Sequence, residues 1–402
     1  MKDLKPIIKS LLRAKTGPLL LLLQIAVTFT ILVNAVFMLL QKHEEINVPS
    51  GLAESELFWF QMSLHGTSEE MKANLFRDLE AIKSLSSVKS AVTLNSIPFS
   101  ERGFGHEIRL DRNAEGFVTK AAFYTGSYDA LETMGLKLIA GQGFQAEDER
   151  SLFHFGLDVP SGVVVSKALA EQLFPNDWEA VLGKTIYLKN EAQIVQGVVE
   201  HLIGPWSYWK NRSHNVLFST SLISSEVSLL VRVQGSNIDK SIQDVMQVIM
   251  QEPNRTVDHL EMLTESRERA YRSQVAAYST LKAVVIGLSL ITMLGVFGQT
   301  RFTILKRRKQ IGTRRALGAS RVAIVRYYIL ENTVINLLGI ALGVVFAILA
   351  NNLLVSHFHL SPVPGIYLVY GSFIIFSAGM LAVLQPAIRA ASVSPAEATR
   401  SV

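Results

Sequence analysis

Four stretches of the chain stay apolar over about 20 residues, the length a helix needs to cross a hydrocarbon core. They cover residues 18–40, 278–300, 327–350 and 366–387. Only two ionisable residues fall inside them, Lys282 and Glu331. Each is expected within roughly a turn of a span end, where a long side chain reaches the interface. The first stretch is longer than a signal-peptide core of about 7–15 residues and lacks a small-x-small cleavage site. It is therefore expected to stay in place as a helix. Ahead of it, residues 1–17 carry Leu4, Ile7, Ile8, Leu11 and Leu12 at helical spacing, with lysines and Arg13 between them. That is the pattern of an amphipathic helix lying in the membrane interface, and Gly17-Pro18 favours a bend where it meets the first span.

Between the first and second spans, residues 41–277 change character. Short β-type runs at 162–166, 185–188, 193–199 and 229–233 alternate with helical periodicity at 69–85 and 238–250. Turns such as Gly141-Gln-Gly143, Pro160-Ser-Gly162 and Pro175-Asn-Asp177 separate them. The expectation is an α+β domain beside an α-helical bundle of four transmembrane helices. Residues 258–277 are charged and free of glycine and proline, so one continuous helix is expected to run from this domain into the second span, as a lever.

Composition agrees: 49% of the 402 residues are hydrophobic and 18% charged, against about a quarter charged in soluble domains. The net charge of +5 hides a partition. Residues 42–272 hold 22 basic and 31 acidic residues, a balance of −9, and the rest hold 17 and 3, a balance of +14. The excess flanks the spans rather than coating a folded domain, which signals membrane orientation and not nucleic-acid binding. Lys2, Lys5, Lys9, Arg13 and Lys15 precede the first span, and the 301–326 loop is rich in arginine, whereas residues 351–365 carry neither sign. Both termini, including the 388–402 tail, and the basic loop are expected in the cytoplasm, with 41–277 outside.

Chemistry is sparse. No cysteine is present, which removes disulfides, thiolate metal sites and a cysteine nucleophile together. Gly183-Lys-Thr185 resembles the end of a phosphate-binding loop, but Trp178 stands where the motif needs glycine, and a strand follows. His43, His65, His106 and His154 are too dispersed for a metal site, and no G-x-S-x-G elbow occurs. Trp206, Tyr208 and Trp209 form an aromatic cluster readable as a partner contact or as packing beneath a loop. Asn34 and Asn336 read as interhelical hydrogen bonds rather than a transport path.

The basic loop reads Arg307, Arg308, Lys309, Gln310, Ile311, Gly312, Thr313, Arg314, Arg315, Ala316, Leu317, Gly318, Ala319, Ser320. It resembles the loop of the FtsX-like permease family, the membrane subunits of MacB-type (type VII) ABC systems. The tail, Gln385 to Ala391 followed by Ser394 to Arg400, is similar to that family's C-terminal signature. Tyr124 to Tyr128, Gly141 to Phe144, and Val163 to Pro175 leading to Gly183-Lys184 resemble a MacB-like periplasmic core. Gln310 and Thr313 depart from the pattern, where relatives often have an acidic residue and a β-branched aliphatic.

The resemblance implies a permease in the bacterial inner membrane that is not itself an enzyme. No cofactor belongs to this chain; ATP and Mg sit on a separate ABC ATPase, present in two copies and not fused here. A second permease, identical or homologous, membrane lipids and an outer adaptor complete the implied partners. The loop residues other than Thr313 would form the ATPase-coupling segment, with Ile311, Ala316 and Leu317 docking among the arginines. The implied activity is export or extrusion of amphipathic substrates such as antibiotics, peptides or lipoproteins by mechanical transmission. The alternative is a signalling or activator subunit that uses the same motion on a hydrolase or sensor.

Overall fold

The computed structural model describes residues 16–113, 115–152, 162–235, 237–252, 255–306, 311, 313–314, 316–358 and 362–392. The amphipathic 1–17 segment, most of the tail signature after Ser392, and Arg307, Arg308, Lys309, Gln310, Gly312 and Arg315 lie outside these, save Thr16 and Gly17. Helices are α1 (Thr16–Ile46), α2 (Ser68–Lys83), α3 (Ala130–Met134), α4 (Lys167–Leu173), α5 (Ile238–Met250), α6 (Leu263–Lys306), α7 (Arg321–Phe358) and α8 (Gly365–Ser392). Strands are β1 (Leu57–Ser63), β2 (Val88–Leu94), β3 (Phe104–Arg109), β4 (Thr119–Gly126), β5 (Leu138–Gly141), β6 (Arg150–Leu152), β7 (Gly162–Ser166), β8 (Thr185–Leu188), β9 (Glu191–Val199), β10 (Asn215–Leu222), β11 (Glu226–Val233) and β12 (Thr256–Met262). The chain divides into a globular unit, Val48–Ser273, and a helical unit formed by the remainder.

In the globular unit, β12-β1-β11-β2 form an antiparallel sheet. Strand β1 alternates: Phe58, Phe60 and Met62 enter a core with Leu75, Leu79 and Ile82 of α2 and Val245 and Ile249 of α5. Trp59 and Gln61 therefore point to the opposite face. Helix α2 begins with a capping box, in which Thr67 and Glu70 satisfy each other's exposed backbone donors. A second lobe continues from β2 through one residue pair, Leu94 opposite Gly126. There β4-β3-β8-β9-β7-β10 pair in sequence, and β10 pairs back onto β4 in parallel, closing a ring. Phe123, Val163, Val165, Ile186, Val195, Val216 and Phe218 fill it, with α4 supplying Leu169, Ala170 and Leu173.

Two sequence expectations change here. Residues 258–262 are not helix but most of β12, an edge strand whose polar and apolar residues alternate; the helix begins at Leu263. Without glycine or proline, a solvated edge strand and a charged helix look alike in composition, and pairing with β1 decides between them. Gly183 adopts φ +71° in a turn and Lys184-Thr185 leads into β8, so no helix N-terminus stands there to hold phosphate.

One ion pair in this unit is deeply buried. Arg255 Nε donates to Asp78 Oδ2 at 2.8 Å, with the two side chains 3% and 2% exposed. Removing one partner leaves an uncompensated buried charge, which costs about 3–5 kcal/mol. Asp78→Ala should therefore lower the unfolding midpoint of the globular unit in urea sharply. Asp78→Leu combined with Arg255→Met should recover most of it, and equal losses in both variants would show that the pair is not what matters.

Among the described residues, four helices are long and apolar enough to cross a membrane, within α1, α6, α7 and α8. Gly17 and Pro18 lie in the first turn of α1, where proline costs no hydrogen bond. Helices α1 and α7 approach closely at Gly339 and Gly343, a small-xxx-small pair. A Cβ on Gly339 would fall 2.9 Å from Ile25 Cβ, and one on Gly343 2.8 Å from Phe29 Cβ. Gly343→Leu should separate the helices and lower the thermal midpoint in detergent, by overpacking worth about 1–3 kcal/mol. Gly287→Leu, at a position with open space around it, should not.

Asn34 Nδ2 donates to Thr30 O at 2.8 Å and to Ala347 O of α7 at 3.4 Å, the interhelical role the sequence suggests. Asn336 packs on Gly379 of α8, and its Nδ2 donates to Asn332 O of its own helix. Glu331 packs inside the helical unit. Helix α7 starts at Arg321, ten residues earlier, and Glu331 is buried at 3% exposure.

Candidate functional site

The basic loop is built as two short signals back to back. The backbone is helical at Ile311, Thr313, Arg314 and Ala316, and Gly318 then turns left-handed with φ +93°. Ala319 N–H donates to Arg314 O at 3.0 Å across that glycine, a Schellman-type C-cap. Two residues later the Ser320 hydroxyl accepts Ala323 N–H at 3.2 Å and caps the start of α7. The run Leu317-Gly-Ala-Ser320 is thus a compact helix stop and restart, and a Cβ at 318 would be strained by its φ alone.

The side chains divide into an anchor and a display. Ile311, expected among the docking residues, is buried at 4% exposure with Ile324 and Tyr328 of α7 and Val383, Ala387 and Ala391 of α8. It holds the loop to the bundle and is not presented outward. Ala387 and Ala391 come from the tail signature, so the two motifs singled out in the sequence meet in one small core. Helix α8 reaches them by continuing past Pro386 to Ser392, beyond the end expected at 387. Leu317 is 83% exposed, and Thr313, Arg314, Ala316 and Gly318 are exposed too. The Arg314 guanidinium lies 4.6 Å from the Tyr327 ring centroid, a cation–π contact that holds it at the loop surface. An exposed leucine beside arginine is an unusual surface for a loop whose only task is positive charge.

In the globular unit, the first turns of α6 form a buried root. Ser266 is fully buried; its hydroxyl accepts Trp59 Nε1–H at 2.8 Å and donates to Glu261 Oε2 at 2.6 Å. Arg267 pairs with the Glu54 carboxylate, donates to Val48 O at 2.9 Å, and lies over the rings of Phe99 and Tyr271. Ser207 Oγ lies 2.9 Å from Ala270 O and 2.7 Å from Glu101 Oε1, so its single hydrogen is shared between the two. No local pattern marks this root, because Trp59 and Ser266 stand 207 positions apart.

The segment beneath the root is strained. Phe99 and Glu101 have φ of +66° and +59°, a region bulky side chains rarely occupy. Phe99 is 1% exposed and meets Tyr271 edge-on at 6.1 Å, while Glu101 accepts from Ser207 N–H and Oγ–H. The aromatic cluster splits: Trp206 and Trp209 meet edge to face, and Tyr208 is 73% exposed. Tyr124, in a stretch resembling the MacB core, is fully buried; its hydroxyl donates to Ile203 O at 2.9 Å, and burial pushes its pKa well above the usual phenol value.

A family model described as FtsX-like permease C-terminal matches residues 282–395, which contain the loop and the tail signature. A second, the MacB-like periplasmic core domain, matches residues 21–248, more than half of the chain. An uncharacterised ABC transporter permease YknZ of Bacillus subtilis is 23% identical over 272 residues, 66% of this chain and 64% of that one. The macrolide export ATP-binding/permease protein MacB of Bradyrhizobium diazoefficiens is 24% identical over 280 residues, 66% of this chain and 41% of that one. The chain thus spans less than two thirds of each. Among solved structures, the periplasmic region of MacB from Actinobacillus actinomycetemcomitans aligns with 55% of this chain and 94% of its own, at 16% identity and a TM-score of 0.34. With both halves matched in order along one polypeptide, the chain belongs to the family of FtsX-like permeases that carry a MacB-like periplasmic core domain.

Proposed function

We propose that this chain is the permease subunit of an ATP-driven ABC transporter that works by mechanical transmission in the bacterial inner membrane. The observation that carries the reading is α6. It is one uninterrupted helix from Leu263, in the buried root, to Lys306, at the edge of the basic loop. A helix of 44 residues is about 66 Å long at about 1.5 Å per residue. In this reading, movement imposed at the loop travels along α6 to the root.

In this reading both termini and the loop are cytoplasmic, and the globular unit is outside. Leu317 enters an apolar pocket on a separate ATPase, while Arg314 and Arg315 meet an acidic rim. The ATPase is present in two copies and holds ATP and Mg. Two permeases pair, identical or homologous, and an outer adaptor joins them where one is encoded nearby. Substrates are amphipathic molecules handled outside the bilayer, consistent with polar groups in the helical unit that engage neighbouring helices. The test is co-purification with the ATPase encoded beside it. The complex should survive solubilisation and hydrolyse ATP at a rate that depends on this chain; an ATPase that neither binds nor responds would overturn the reading.

A further inference from the structure

The uncovered face of the β12-β1-β11-β2 sheet carries a large cleft of about 1000 Å³ within the globular unit. Strand register places His259, Gln61, Ser228 and Leu94 in one cross-strand row along its floor. One wall is the segment joining β2 to β3, with Ser96, Ile97, Ser100, Arg102 and then Phe104 of β3. That segment also contains the two strained residues, Phe99, which packs on Tyr271 and Arg267 of the α6 root, and Glu101, which reaches the root only through Ser207. Arg269, on the second turn of α6, closes one end. Cleft, strained wall and helix root are thus physically continuous.

The charges indicate what fits. Glu226 accepts from Gln61 Nε2 at 3.0 Å and Asp258 from Ser63 Oγ at 2.8 Å. Both carboxylates are exposed, and neither has a cationic partner among the described residues. Arg269 is neutralised by Glu261, which leaves Arg102 as the wall's uncompensated cation. Hydroxyl and amide groups (Ser96, Ser228, Gln61) alternate with Ile97, Phe104 and Leu94. The complement is a ligand rich in amides, net cationic, with apolar side chains.

We propose that this cleft binds a short cationic amphipathic peptide, and that the Phe99–Glu101 segment passes its occupancy to the root of α6. The proposal rests on the permease reading only for its purpose; the binding itself needs no ATPase. A peptide seated between Arg102 and the floor presses on a segment already held in an unfavourable conformation. Small displacements there are felt directly by Tyr271, Arg267 and, through Ser207, by Ala270.

The test uses the full chain in phosphatidylcholine nanodiscs, with empty nanodiscs as the blank. The probe is a fluorescein-labelled hexapeptide of alternating lysine and leucine, set against its glutamate–leucine counterpart. We expect saturable binding of the lysine peptide only, weakened at least tenfold by Glu226→Gln with Asp258→Asn. Amide exchange across 263–273 should slow on binding, and Ser207→Ala, outside the cleft, should keep the affinity while reducing that slowing. Equal affinity in the double variant, or equal binding of the glutamate peptide, overturns the site. Unchanged exchange at the root on saturation overturns the link. Either failure leaves ATPase co-purification intact, whereas failure of the permease reading removes co-purification and leaves peptide binding in place.

Discussion

Replacing Arg314, Arg315 and Leu317 together with alanine should abolish co-purification of the ATPase while the chain still inserts and folds. Leu317 is 83% exposed on a capped turn, so its removal uncovers nothing inside the protein. Burying one leucine in a partner's pocket contributes about 1.5–3 kcal/mol, and a charge-assisted contact from each arginine adds to it. A loss of about 4 kcal/mol is close to a thousandfold in affinity, enough to empty the complex during purification. Ile311→Ala is the informative contrast. That side chain lies in the core shared by α7 and α8, so its loss should first lower the thermal midpoint and weaken ATPase binding only through loosening of the loop. Normal recovery of the ATPase with the triple variant would sink the docking role of this loop.

The fold was legible where burial writes a strong pattern. The spans appear as unbroken apolar runs, and β7, β8 and α5 lie where alternation and helical periodicity place them. What escaped was set by partners distant in sequence. Strand β12 is solvated along its free edge, so its pattern is as polar as a surface helix. The ring closes through β4 pairing with β10, about 90 residues away, which no local signal specifies. The loop motif singles out a segment but not which of its side chains face out: Ile311 and Leu317 are both aliphatic among arginines, and packing against Tyr328, Ala387 and Ala391 turns the first inward. A signal that was present and unused is Gly339-x-x-x-Gly343, which seats α7 against α1.

Ala276→Pro should separate attachment from transmission. Residue 276 is exposed, three positions beyond the last residue of the globular unit, and lies inside α6. Proline there removes a backbone hydrogen bond and clashes with the carbonyl four residues back, at a cost of about 3 kcal/mol or more, usually met by a kink. The loop is untouched, so the ATPase should co-purify and hydrolyse ATP as before. Because the chain has no cysteine, Tyr208→Cys provides a unique, exposed attachment point for an environment-sensitive fluorophore. In the otherwise native complex, ATP should change its emission; with Ala276→Pro the change should vanish, and with Ala276→Ser it should persist. The triple loop variant loses both association and signal, whereas the proline variant loses the signal alone. An undiminished signal through the kinked helix would mean that the globular unit is moved by something other than α6, and the lever would have to be sought in α1, whose last residues lead into Val48.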